Sequence, residues 1–83
     1  PNPFNPQTEI RFTLPRGATV RLGIYDIRGR LVRQLHSGHL GAGEHAVTWR
    51  GRDDAGQPAP SGVYLARLEA GGMRMTQRLT LVQ

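Results

Sequence analysis

Glycine and proline interrupt this chain so often that no stretch of ten residues keeps helical periodicity. The eleven glycines and six prolines gather in clusters, and between the clusters apolar and polar residues alternate. Ile10, Phe12 and Leu14 alternate with Glu9, Arg11 and Thr13, which is the period of a strand with one wet face and one buried face. The breakers therefore leave the chain strands and turns to work with. Strands are expected at about Thr8–Leu14, Val20–Asp26, Leu31–Leu35, Glu44–Trp49, Val63–Glu69 and Met73–Val82, with a seventh short edge segment near Gln57–Pro60.

The connections carry their own signals. In "YDIRGRLV", Asp26 is placed to accept backbone N–H groups from a type I turn over Ile27 and Arg28, and Gly29 supplies the positive φ of a short hairpin. "SGHLGAGEH" reads as a looser connection and "RGRDDAGQPAPSG" as a long one rich in breakers. Gly71-Gly72 suits a primed turn into the last strand. Val47 and Trp49 share a face of "HAVTW", which puts Trp49 between two sheets. The fold class that follows is all-β, a small immunoglobulin-like antiparallel β-sandwich of about seven strands.

Eighty-three residues make one domain, 1–83, whose core is thin because so short a chain buries only about 60–65% of its unfolded surface. There is little room for a deep catalytic cleft. No cysteine is present, so neither disulfides nor thiolate metal ligands supplement the core. The apolar runs are too short to span a bilayer as helices. A start on Pro1 suggests a fragment or a processed product of a longer protein. The net charge is +5 and all eleven basic residues are arginine, but Arg11, Arg21, Arg33, Arg67, Arg74 and Arg78 are dispersed over different strands among aliphatics, as on a solvated sheet face. The five aromatics form no basic-aromatic stacking array, so no nucleic acid is expected as partner.

No constellation of catalytic type stands out. His36, His39 and His45 lack the spacing and companions of a zinc site and read as exposed turn and strand-face residues. Asp53 and Asp54 before Gly56 offer oxygens to calcium, or equally an Asx-type turn closed by glycine. Ser61 in "APSGVY" does not sit in a nucleophile elbow. Trp49, Tyr64, Tyr25 and Phe4 read as core and end-caps of a sandwich more than as a carbohydrate platform. Hence no enzyme activity, no cofactor and no metal site are expected.

Taken together, "PNPFNPQTEIRFTLP", "VRLGIYDIRGRLVRQL", "GAGEHAVTWRGRDDAGQPAPSGVYLARLEAGG" and "RLTLVQ" resemble, over essentially the whole chain, the type A C-terminal sorting domain of the bacterial type 9 secretion system. That family overlaps in sequence with the immunoglobulin-like domain of flagellar hook-capping proteins. Pro1-Asn2-Pro3-Phe4-Asn5-Pro6 matches the sorting family's entrance motif, Tyr25-Asp26 with Gly29-Arg30 its central hairpin, and Gly62-Val63-Tyr64 its Gly-x-Tyr motif. Arg50 stands where the family commonly has an acid or asparagine, and Arg78 where it usually has lysine, keeping the charge without the compact ammonium.

The resemblance implies a non-catalytic module that directs a larger cargo across the bacterial outer membrane, secreted or held at the cell surface by way of the periplasm. Its partner would be the outer-membrane secretion machinery. The entrance segment, residues 1–7, would then be a stiff spacer with Phe4 as an apolar peg. The alternative is a structural assembly module, filament, scaffold or hook-cap-like, that joins neighbouring protein subunits or further copies by edge-strand addition. On either reading partner recognition is assigned to Pro1, Asn2, Pro3, Phe4, Asn5, Pro6, Gly62, Tyr64, Arg74, Arg78 and Val82, and structural roles to Asp26, Gly29 and Trp49.

Overall fold

The computed structural model describes residues 7–83. Six strands follow in chain order: β1 (Thr8–Leu14), β2 (Ala18–Asp26), β3 (Leu31–Leu40), β4 (Gly43–Trp49), β5 (Gly62–Ala70) and β6 (Met73–Leu81). They build two antiparallel sheets, a small one of order β1-β4 and a larger one of order β3-β2-β5-β6. This is the immunoglobulin-like all-β sandwich, with six strands among the described residues. The entrance residues Pro1 to Pro6, including the Phe4 peg, lie outside the described residues.

Alternation decides which way each strand faces. Ile10, Phe12 and Leu14 of β1, Val20, Leu22 and Ile24 of β2, and Tyr64, Ala66, Leu68 and Ala70 of β5 turn inward and are buried together with Trp49, Leu79 and Leu81. Each valine, leucine, isoleucine or phenylalanine side chain among them, taken from water, stabilises the fold by about 1.5–3 kcal/mol. No polar or charged residue is buried among the described residues, so the fully buried core is apolar.

Two expectations need correction. The third strand does not stop at Leu35: it runs to Leu40, with Ala18 opposite Leu40 and Val20 opposite Gly38. Pairing along β2 outweighs the local breaking tendency of Gly38, so His36 to Leu40 are strand and not loose connection. Register shifts between Leu22 and Gly23 and between Ile24 and Tyr25 bend this pair, as β-bulges do. The seventh segment near Gln57–Pro60 shrinks to one bridge between Arg52 and Pro58. Pro58 and Pro60 have no N–H to give, so a ladder cannot propagate there.

Candidate functional site

One end of the sandwich is locked by its own polar groups. The N–H groups of Arg28 and Arg30 donate to Asp26 Oδ1 at 2.9 and 3.0 Å, and Arg30 Nε donates to Oδ2 at 3.0 Å. Gly29 closes the turn with φ 84° and its N–H on the Asp26 carbonyl. The Arg30 backbone N–H, above all, holds the Asp26 carboxyl below its ordinary pKa; desolvation opposes it, and the Arg30 side chain and Arg28 N–H add to it. Trp49 is 1% exposed, meets Tyr64 edge to face at 5.1 Å, and donates its indole N–H to the Arg52 carbonyl at 2.9 Å. The Tyr64 hydroxyl donates to the Pro60 carbonyl four residues upstream, the arrangement of a tyrosine corner. Burial raises the Tyr64 pKa, with the Asp26 charge second.

Next to this hairpin a shallow cleft of about 610 Å³ is lined by Asp26, Arg30, Asp53, Asp54, Ser61 and Tyr64, among others. Its polar groups are already spent on the fold. Asp53 Oδ1 accepts the N–H groups of Ala55 and Gln57, which is the Asx-type turn of the second sequence reading. Asp54 Oδ1 accepts the Gln34 N–H while the Asp54 N–H donates to the Val32 carbonyl, so this loop covers part of the β3 edge. The Ser61 hydroxyl accepts the Gln83 N–H, and the Gln83 side-chain amide donates to Gly51 and Ala59 carbonyls. No group of three metal-ligating side chains exists among the described residues. His36 bonds to Gly38, whereas His45 bonds to Gly41 and stacks on Phe12 at 5.4 Å. His36 and His39 thus lie in β3 and His45 on the inner side of β4, so the expectation of turn positions is corrected. Such an arrangement fixes loops; it does not converge on a substrate.

The other side is open. Among the described residues a four-stranded sheet is faced by a sheet of two strands, and β6 lies at the larger sheet's edge. Met73, Met75 and Gln77 pair with the buried Ala70, Leu68 and Ala66 and share their inner face. Yet Met73 and Met75 are 44% and 49% exposed, because the small sheet does not reach over them. Between β1 and β6 a narrow groove runs past Ile10, Phe12, Leu68, Met75 and Gln77. Arg74 and Arg78 turn outward from β6, opposite Glu69 and Leu65. Gly62 opens β5, and Val82 is 74% exposed beyond the end of β6.

Comparison with known proteins fits this geometry. The family model described as the FlgD Ig-like domain matches residues 4–73. The chain belongs to the FlgD Ig-like domain family. A solved structure of P. aeruginosa FLGD matches with a TM-score of 0.65 and 26% identity, over 90% of this chain and 59% of that one. The chain therefore spans less than two thirds of that relative. No curated protein matches it. What matches is the hook-capping domain that the sequence reading named second, a structural domain of the flagellar hook-cap protein family.

Within this FlgD-type sandwich the structure brings Asp26, Gly29, Trp49, Gly62 and Tyr64 to one end, and leaves Arg74 and Arg78 on the outer face of the large sheet. Tyr25 departs from its assignment to core or end-cap. It stands half-buried on that outer face with the Arg67 guanidinium 4.3 Å above its ring. Sequence reasoning met Arg67 only as one of the dispersed strand arginines and Leu31 only as the start of a strand, and it passed over Gly23. The signal for Gly23 was present, a glycine interrupting the alternation of "VRLGIYD".

Proposed function

We propose that the chain is a non-catalytic structural assembly module of the hook-capping kind, part of a larger protein, that joins neighbouring protein subunits through the open side formed by β6 and β1. One observation carries the reading: an edge strand whose inner face, at Met73 and Met75, is left uncovered by the opposite sheet. A strand added there buries methionine and satisfies the free row of backbone groups in one step. Family membership supports the assembly part of this reading, and we propose with it a location outside the cytoplasm, at the cell surface.

The test uses the parent protein with a single cysteine introduced into this cysteine-free domain. Met75→Cys is expected to cross-link to a neighbouring subunit with a short bis-maleimide, while Ala46→Cys on the far face is not. Met75→Glu is expected to abolish incorporation at nearly unchanged melting temperature, since the side chain is half in water. Normal incorporation of Met75→Glu overturns the reading. So does export of a periplasm-targeted reporter fused ahead of the domain in a type 9 host, which establishes sorting instead.

A further inference from the structure

The outer face of the larger sheet has a charge and a shape that the fold does not need. Pairing register puts Leu31, Tyr25, Leu65 and Arg78 in one row across all four strands, and Gln34, Gly23, Arg67 and Thr76 in the next. The third row holds Ser37, Arg21, Glu69 and Arg74. Four arginines thus face water with a single carboxylate among them. Glu69 is shared by Arg74 at 3.1 Å and Arg21 at 3.9 Å. Neither Arg67 nor Arg78 has a carboxylate within salt-bridge distance among the described residues. The far face, on β1 and β4, carries Glu9, Arg11 and Glu44, so the excess of positive charge is concentrated on the larger sheet.

Gly23 gives this face a recess. A Cβ there would meet Leu31 Cδ1 and Tyr25 Cε1 at 3.0 Å each, so both side chains lean over the glycine and form the walls of a depression of about 180 Å³. Arg67, Arg21, Gln34 and Glu69 complete its rim. Leu31 is 49% exposed, and Leu65 is half-buried beside it. A recess of this size takes one side chain. Two guanidinium groups stand at the rim against the one Glu69 carboxylate, which Arg74 holds at 3.1 Å. The rim is thus net positive, with Arg67 unpaired by any carboxylate among the described residues, so it selects a carboxylate, and the apolar row beside it takes an aliphatic neighbour.

We propose that the outer face of the β3-β2-β5-β6 sheet is a docking surface for an acidic partner protein, which seats one aspartate or glutamate side chain in the Gly23 recess between Arg67 and Arg21 and lays an aliphatic residue on Leu31 and Leu65. Charge complementarity selects this occupant. A nucleic acid fits the face less well, because Arg67 already covers the Tyr25 ring and leaves no aromatic plane for a base. The proposal rests on the reading of the domain as an assembly module and names a second contact surface for it, distinct from the β6 edge.

The experiment titrates the ¹⁵N-labelled domain with an end-capped pentapeptide alternating leucine with glutamate and aspartate. Its glutamine and asparagine analogue and a single-stranded oligonucleotide serve as the other arms. Shifts are expected to centre on Gly23, Leu31 and Arg67, to weaken with added salt, and to be absent with the amide analogue. Arg67→Gln is expected to weaken binding about tenfold, the equivalent of one charge-assisted hydrogen bond. Arg11→Gln on the far face is expected to leave it unchanged, and both variants should keep the wild-type melting temperature. Shifts confined to β6 and β1, equal binding of the amide analogue, or tighter binding of the oligonucleotide each overturn the proposal. The first of these leaves the assembly reading standing.

Discussion

Replacing Trp49 by alanine tests the account of the core most directly. The indole is 1% exposed, packs edge to face on Tyr64 at 5.1 Å and donates to the Arg52 carbonyl at 2.9 Å. Removing a buried ring of this size leaves a cavity and costs about 3–5 kcal/mol. Loss of the hydrogen bond belongs to the same change, since it strands the Arg52 carbonyl, at about 1 kcal/mol. A domain of this length holds about 4–12 kcal/mol in all, and each kcal/mol moves the melting temperature by about 4–8 °C. The variant is therefore expected to melt some tens of degrees lower, near or below room temperature. Urea unfolding followed by far-UV circular dichroism measures this, because the fluorescent side chain is the one removed. Trp49→Phe, which keeps part of the packing and loses the donor, should fall between the two. An unchanged urea midpoint for Trp49→Ala refutes the buried placement and with it the tyrosine corner that Trp49 supports.

Gly29→Val is expected to cost about 1–3 kcal/mol in urea unfolding, because a β-branched residue is strained at φ 84° although nothing lies within 4 Å of its Cβ. Gly29→Asn, tolerant of that conformation, should recover most of the loss, and equal stability of the valine variant disproves the hairpin. Asp26 has a folded pKa below the 3.8 of an ordinary aspartate, so its stabilising contribution is complete above that value and is lost as pH falls through the lower folded pKa. Asp26→Asn should flatten the acid limb of stability against pH in that window, as read by melting temperature; an unaltered acid limb counts against the carboxylate bonds.

Much of this fold follows from local rules. Alternation in "TEIRFTL" and "GVYLARLEA" tells each strand which face to bury, because a strand repeats every two residues regardless of its neighbours. The Asp26 hairpin and the Gly71-Gly72 turn, with both glycines at positive φ, are legible for the same reason, since a turn is decided within four or five residues. The burial of Trp49 also followed from its face in "HAVTW". What the sequence could not decide alone depends on pairing between distant segments. Gly38 becomes strand because β2 extends to meet it, and Gln57–Pro60 does not because its prolines find no ladder. Tyr25 and Arg67 are forty-two positions apart, and only the register of β2 on β5 stacks them and opens the recess at Gly23. The exposure of Met75 is of the same kind. Its own alternation points it inward, and it meets water because, among the described residues, the opposite sheet has two strands and does not reach over it, which pairing between distant segments decides.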